Sequence, residues 1–225
     1  MDAKLERVIV KCDGQTAVIT LNRPAVRNCM DRQALEELIV ALDACESDPD
    51  VRVVVLTGAG DAFCSGADLK YIASQDARGF ASMIRLFHEA CGRLERFGKP
   101  VIAAVNGIAI AGGLELALAC DLIVAAEDAE LGDHHSNIGT IPGGGSTQRL
   151  PRRIGISRAK DLIFTGRRLT AREAEAIGIV DRVAPAGKLQ REVMELEASL
   201  TAQEPRVMRT AKYLINQGMQ ADLAT

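Results

Sequence analysis

The apolar positions of the first 60 residues predict two strands, a helix and a third strand. Two runs rich in β-branched residues, Leu5–Lys11 and Thr16–Leu21, are separated by Asp13-Gly14, a pair typical of a hairpin turn. A helix is predicted next, because apolar residues share one helical face at positions 35, 38, 39, 42 and 45. The run 51–57, VRVVVLT, is almost continuously apolar, which is typical of a strand buried on both faces. A glycine-containing loop is predicted after it, at residues 58–68.

The middle of the chain continues this alternation of buried strands and helices. A second amphipathic helix is indicated by apolar residues at positions 80, 83, 84, 87, 91 and 94. The residues that follow predict a strand at 101–105, a turn region at 106–113, a helix at 114–120 and strands at 121–126 and 129–132. Such alternation predicts an α/β fold with crossover connections.

Beyond Pro142 the pattern becomes helical. Ser157 is predicted to cap one helix, which ends at Gly166. The segment Thr170–Glu173 is a capping box that starts another helix, and Gly178 ends it. Two further helices are predicted at about 188–201 and 205–217. We therefore expect a core domain at residues 1–185 and a C-terminal helical region at 186–225.

Composition and charge narrow the class of protein. The 225 residues are 48% apolar and 25% charged, as in an ordinary globular domain, and the net charge of −3 argues against a nucleic-acid partner. We find no signal peptide, and polar residues such as Glu115 interrupt the apolar stretch 101–126, so no membrane span is expected. The six cysteines lack metal-binding spacing and are expected to be reduced thiols of a cytoplasmic protein.

Two glycine-containing loops follow buried strands, Cys64–Asp68 and Ala111–Glu115. Glycine just before a helix lets a ligand approach the backbone, and the N–H groups at a helix start are free donors. One N–H from each loop could hold a carbonyl oxygen as an oxyanion hole. The alternative is that the glycines only allow tight turns and close packing. Neither loop matches a nucleotide-phosphate motif.

Three further residues carry candidate chemistry. Glu115 lies in the very apolar segment GGLELALACD, where it is either an acid–base group with a raised pKa or a helix-start carboxylate interacting with the dipole. His134 and His135 would point to opposite sides of an extended segment, so at most one should face a cavity. They could equally be surface or packed residues, and a third ligand for a metal site is missing.

These residues together resemble the enoyl-CoA hydratase/isomerase (crotonase) superfamily. The resemblance runs in order along nearly the whole chain, through NRPAVRN (22–28), VRVVVLTGAGDAFCSGADL (51–69), KPVIAAVNGIAIAGGLELALACD (99–121), GTIPGGGSTQRLPR (139–152) and LIFTGRRLTAREAEAIGIVDRV (162–183). It implies a spiral ββα core with C-terminal helices, an acyl-CoA thioester as substrate, no separate cofactor, and a homotrimer or a dimer of trimers. Family members usually continue past the point where Thr225 lies, so a shortened C-terminal region is expected.

The resemblance also implies roles for individual residues. The N–H groups of Ala67 and Gly112 would form the oxyanion hole. Coenzyme A would bind near Ala25, Arg27, Phe63 and Lys70. The hydratases of this family use two glutamates, of which the first matches Glu115, while the second position holds His135 in this sequence.

Chemistry allows the histidine to replace the second glutamate. Imidazole can act as base or acid near neutral pH, so Glu115 and His135 could together add water to an enoyl-CoA. Asp133 lies two residues before His135 and could orient its ring. The alternatives are double-bond isomerisation or thioester hydrolysis on the same scaffold, or a non-catalytic protein that binds acyl-CoA.

Overall fold

The N-terminal hairpin is formed as predicted. A computed structural model describes residues 5–219. Strands β1 (Val8–Asp13) and β2 (Thr16–Leu21) pair antiparallel, and Gly14 in the turn has a φ of 56°. The first strand begins three residues later than the apolar pattern predicts.

The larger sheet has six strands in the order β1-β2-β3-β5-β7-β10, and all its neighbours from β2 onward are parallel. The remaining strands are β3 (Val53–Gly58), β5 (Val101–Val105), β7 (Leu122–Ala126) and β10 (Arg182–Ala184). The last of these corrects the expectation that the chain is only helical beyond Pro142. These three residues lie among helical patterns and are too few to show the alternation of a strand there.

A second sheet of very short strands has the order β4-β6-β8-β9. Its strands are β4 (Ala62–Cys64), β6 (Ile108–Ile110), β8 (Glu130–Gly132) and β9 (Leu169–Thr170). Strands β4 and β6 lie in segments that the sequence predicts to be loop and turn. Each successive turn of the chain places one strand in the larger sheet, the next in the smaller sheet, and then a helix. The spiral ββα core is therefore confirmed.

Nine helices are present within residues 5–219. They are α1 (Arg32–Ser47), α2 (Leu69–Ala73), α3 (Ala77–Arg96), α4 (Gly112–Ala119), α5 (Ser146–Ile154), α6 (Ile156–Thr165), α7 (Ala171–Ala176), α8 (Leu189–Thr201) and α9 (Pro205–Gly218). The capping box of α7, between Thr170 and Glu173, is confirmed. The predicted cap at Ser157 is wrong, because Gly155 joins α5 directly to α6 and leaves Ser157 inside the first turn.

The larger sheet is covered on both faces. Val54 and Leu56 of β3 face the main core with α1, α3 and α4, whereas Val53 and Val55 face α8. The alternation follows from the period of two along a strand. Helix α8 contributes Val193 and Leu196 to that second face, while α9 has no buried residue. Among the helices of residues 5–219, none has the length and apolar character needed to cross a membrane.

Candidate active site

The two glycine loops lie against each other. Gly66 has a φ of +96°, and a β-carbon on it would lie 3.0 Å from the backbone nitrogen of Gly112. A β-carbon on Gly113 would lie only 1.9 Å from the carbonyl oxygen of Cys64. Close packing is therefore a real function of these glycines, and it brings the two backbones together at one point.

Both predicted oxyanion-hole N–H groups are free at this point. Neither the N–H of Ala67 nor that of Gly112 donates a hydrogen bond to another group in residues 5–219. Gly112 is the first residue of α4, where an N–H has no partner within the helix. The backbone around Ala67 is held on both sides, since Met30 N–H donates to the Gly66 oxygen at 2.8 Å and Asp68 N–H to the Met30 oxygen at 2.8 Å.

A strained residue precedes the second donor. Ala111 has φ 49° and ψ −123°, a conformation that is costly for a residue with a side chain. Its N–H donates to the Gly132 oxygen at 2.9 Å, which ties the strained turn to β8. This turn starts α4 beside the Gly66 loop, so that the backbone nitrogen of Gly112 lies next to Gly66.

Glu115 lies in the first turn of α4 and is only 2% exposed. Its Oε1 accepts a hydrogen bond from the backbone N–H of Ser146 at 2.9 Å, so the carboxylate sits at the start of α5 rather than at the start of its own helix. Within the described residues it has no ion pair with lysine or arginine. Burial raises the pKa of Glu115, while the N–H of Ser146 and the nearby His135 oppose the rise.

The histidine pair is not on an extended segment, which corrects that expectation. His134 adopts the left-handed region with a φ of 60°, and His135 begins a short 3-10 turn. The ring Nδ1 of His134 lies 3.1 Å from the carbonyl oxygen of Gly166. The ring of His135 is turned the other way, with Nε2 3.8 Å from Oε2 of Glu115. Of the two rings, that of His135 lies near Glu115, in a turn and not on the extended segment from which the expectation was argued.

Asp133 holds the other side of the His135 ring. Its Oδ1 lies 3.0 Å from Nδ1 of His135, and the aspartate is completely buried. Burial lowers the pKa of His135, but the hydrogen bond and charge of Asp133, together with the charge of Glu115, raise it by more. The net effect is a raised pKa of His135, because the two carboxylates together outweigh the effect of burial.

The residues predicted to bind coenzyme A divide into two groups. Ala25, Arg27 and Lys70 are exposed, and the loop of Arg27 lies beside the Ala67 loop because Ser65 N–H donates to the Arg27 oxygen at 3.0 Å. Phe63 is fully buried, so its ring belongs to the core and is not available to a ligand. Phe63 lies on β4, at the edge of the smaller sheet, and the binding of coenzyme A near this residue stays a prediction.

Sequence reasoning missed two residues that shape the site. Ser146 supplies the N–H that binds Glu115, and its own buried Oγ has no partner within residues 5–219. Arg149 donates to the Gly144 oxygen at 2.6 Å and to Oε2 of Glu95 at 2.8 Å. This arginine holds Gly144 against Glu115. No local sequence pattern predicts these contacts, because they depend on how α5 packs on α4.

Other candidate chemistry lies outside the site. His88 is exposed on α3. All six cysteines are free thiols, and five of them are buried. Within residues 5–219 there is no cluster of three or more histidine, cysteine, aspartate or glutamate side chains placed to hold a metal ion.

Comparison with known proteins decides the family. A profile described as enoyl-CoA hydratase/isomerase matches residues 12–225. The chain belongs to this family. It is similar to the putative enoyl-CoA hydratase/isomerase YngF of Bacillus subtilis, with 45% identity over 93% of this chain and 81% of the relative. It is also similar to a short-chain-enoyl-CoA hydratase of Clostridium acetobutylicum, with 37% identity over 99% of this chain and 85% of the relative.

Solved structures of the enoyl-CoA hydratase/isomerase family share the fold. The crystal structure of an enoyl-CoA hydratase from Bacillus anthracis superposes with a TM-score of 0.95 at 41% identity, covering 97% of this chain and 86% of that one. This chain is thus an enzyme-family member in which Glu115 is paired with a histidine rather than with the second glutamate that the resemblance implies.

Proposed function

We propose that the chain is an acyl-CoA lyase of the enoyl-CoA hydratase type, which adds water across the 2,3 double bond of an enoyl-CoA thioester. The observation that carries the proposal is the 3.8 Å approach of His135 Nε2 to the buried carboxylate of Glu115, on the helix that begins with the free N–H of Gly112. The relatives named as hydratases support the same reaction.

In this proposal the thioester carbonyl is held by Ala67 and Gly112. Their two N–H groups stabilise the negative charge that develops on the oxygen as the enolate forms. Withdrawal of electrons toward that oxygen makes Cβ electrophilic and Cα acidic. The positive end of α4 adds to the effect, because Gly112 is its first residue.

Glu115 and His135 then handle the protons. The Glu115 carboxylate takes a proton from water as the water oxygen bonds to Cβ, and the His135 imidazolium donates a proton from Nε2 to Cα. One molecule of water is thereby added, and the glutamic acid returns a proton to the neutral imidazole to reset the pair. The direction of both shifts suits these roles, since a raised pKa makes the Glu115 carboxylate a stronger base and keeps more of the His135 ring protonated.

Binding of coenzyme A is assigned to the exposed Ala25, Arg27 and Lys70, of which the two cations suit phosphate oxygens. We propose no cofactor beyond the coenzyme A of the substrate, because the chain supplies the acid, the base and the oxyanion donors itself. A cytoplasmic location is proposed from the six free thiols. A homotrimer or a dimer of trimers is proposed, supported by apolar residues exposed on α9.

Two alternatives use the same scaffold but are less well supported. Isomerisation and thioester hydrolysis could draw on the same acid–base pair, yet the relatives from Clostridium acetobutylicum and Bacillus anthracis are named as hydratases. A non-catalytic acyl-CoA-binding protein would not need the carboxylate of Glu115, which is 2% exposed and has no lysine or arginine partner in the described residues. Such burial is costly and is typical of a functional group.

Hydration is tested by the loss of enoyl absorbance when crotonyl-CoA is added. Glu115→Gln is expected to slow turnover by at least about a hundredfold while acyl-CoA binding is nearly unchanged, because a general base is lost and the binding surface is kept. Glu36→Gln, an exposed glutamate of α1, is the matched control and should keep full activity. Full activity of Glu115→Gln would eliminate the proposed mechanism.

Two further readings complete this experiment. A rise in absorbance with a 3-enoyl-CoA would identify an isomerase, and binding with no change in absorbance would identify a non-catalytic protein.

His135→Ala should also lower the rate of hydration. If it changes only stability, His135 is structural and the two-residue mechanism fails.

A further inference from the structure

Asp133 is a buried acid in which only one of the two carboxyl oxygens has a hydrogen-bond partner among the described residues. It is 0% exposed, and Oδ2 has no hydrogen-bond partner within residues 5–219. The other oxygen, Oδ1, lies 3.0 Å from Nδ1 of His135 and 3.4 Å from the backbone nitrogen of the same residue. A buried carboxyl group with an unused oxygen is costly, which favours a role beyond stability.

The local backbone accommodates this contact. His134, between the two residues, has a φ of 60°, and Oδ1 of Asp133 lies beside both the ring and the backbone nitrogen of His135. The turn is held at two places: His134 Nδ1 lies 3.1 Å from the Gly166 oxygen, and Thr140 N–H donates to the His135 oxygen at 3.1 Å. The ring of His135 is thus fixed in orientation by residues that do not touch Glu115.

The contact also determines which ring nitrogen carries a proton. A carboxylate can only accept, so the hydrogen bond to Asp133 requires a proton on Nδ1 of His135. The nitrogen that faces Glu115 is then Nε2, which gains and loses the mobile proton.

We propose that Asp133 is a positioning residue that keeps His135 protonated on Nδ1 and aims Nε2 at the reacting carbon beside Glu115. This inference rests on the proposed hydration. It assigns the proton delivery to Nε2 and makes Asp133, His135 and Glu115 one connected unit.

Few charged side chains lie near His135. Its ion pairs in the described residues are with Asp133 on its own segment and Glu115 on α4. Helix α6, which packs against the same turn, carries its charged residues Arg158, Lys160 and Asp161 on the exposed side. A substitution at Asp133 should therefore change the pKa of His135, and no other charged neighbour should compensate for the change.

The first test is Asp133→Asn, which keeps the side-chain size and removes the charge. We expect kcat for crotonyl-CoA to fall at least about tenfold, which is less than the roughly 10²–10⁴-fold contribution of a complete proton transfer, while KM stays within about twofold. Because Asp133 raises the pKa of His135, the alkaline limb of the pH–rate profile should move to lower pH. Asp128→Asn, an exposed residue between β7 and β8, is the control.

A double variant separates positioning from a general structural effect. In a His135→Ala background, Asp133→Asn should have almost no further effect on kcat, since Asp133 acts through the ring. An undiminished effect in that background, or a wild-type limb in Asp133→Asn, would overturn the inference.

A third measurement needs no variant that could misfold. The chain has only three histidines, so ¹⁵N spectra of the ring nitrogens can resolve each one. The neutral form of His135 is expected to carry its proton on Nδ1, and its pKa should be above that of an exposed histidine. A proton on Nε2 would refute the inference even if hydration is observed, whereas lack of hydration by the wild type would refute the proposed function itself.

Discussion

Single glycines set the distance between the two oxyanion donors. Gly66 has a positive φ and faces Gly112 so closely that a β-carbon would lie 3.0 Å from its nitrogen. Gly14, in the first hairpin, also has a positive φ, of +56°, but a β-carbon there would meet nothing within 4 Å. A side chain at Gly14 would therefore cause backbone strain alone, whereas one at Gly66 would cause the same kind of strain and also a steric clash.

Gly66→Ala is expected to impair catalysis, whereas Gly14→Ala should only destabilise the fold. Both alanines add strain of about 1 kcal/mol. The β-carbon at Gly66 must also displace the start of α4, so kcat/KM should fall by at least about tenfold, given that losing one oxyanion donor costs roughly 10²–10³-fold in kcat. Measured kcat/KM and Tm check this, and equal activity of the two variants would contradict it.

At the scale of elements, α9 is attached by polar contacts rather than by burial. It has no buried residue, but Nζ of Lys212 lies 2.7 Å from Oδ2 of Asp121 and 3.1 Å from the Lys99 oxygen. The side chain of Asn216 also donates to the Glu95 oxygen at 2.9 Å. Burial raises the pKa of Asp121, and the Lys212 ammonium opposes that rise.

Lys212→Met should loosen α9 and lower the free energy of unfolding by about 1–3 kcal/mol, because the Asp121 carboxylate is left without its cation. Without Lys212 the pKa of Asp121 rises further above its unfolded value. The loss should therefore be largest at neutral pH, shrink as pH falls through the raised folded-state pKa of Asp121, and vanish once this carboxyl is protonated in the wild type and in the variant.

Denaturation at several pH values measures this loss, and trypsin cleavage after Arg209 reports on α9 itself. Lys160→Met, at an exposed position of α6, is the control. Unchanged cleavage of the Lys212 variant would show that other contacts hold the helix.

At the scale of the whole molecule, the described surface leaves large apolar side chains in water. Val207, Leu214 and Ile215 of α9 are 62%, 61% and 66% exposed. Their spacing of seven and eight residues places them on one face of the helix. A contiguous exposed apolar face is typical of an interface, which is why it supports the proposed homotrimer or dimer of trimers.

Self-association is expected to depend on this face. Light scattering should give a mass three or six times 24.1 kDa, and Ile215→Glu should reduce it. Ile156→Glu is a matched control, because Ile156 on α6 is 65% exposed and Ile215 is 66% exposed. A wild-type mass of 24.1 kDa, or dissociation by the Ile156 variant alone, would contradict the proposal.

The long elements could be predicted from the sequence because each carries its own pattern. The β2 bounds and those of β5 agree with the apolar runs, and α1 and α3 contain the predicted stripes. The capping box of α7 is local chemistry and was also predictable. The short strands β4 and β6 were not, since three residues stabilise nothing alone and form only where a neighbouring strand is available.

The candidate site divides in the same way. The sequence by itself determined which residues have unusual properties: glycines before helix starts, and Glu115 in an apolar segment, where burial has a cost whatever the fold. Only the tertiary structure decided the partners of Glu115. The contact of Asp133 with His135 was expected from their spacing of two residues, but the packing of α5 on α4 decides that Ser146 donates to Glu115 and that Arg149 holds Gly144 beside it. Those contacts of α5 join residues through helix packing, which no spacing along the chain encodes.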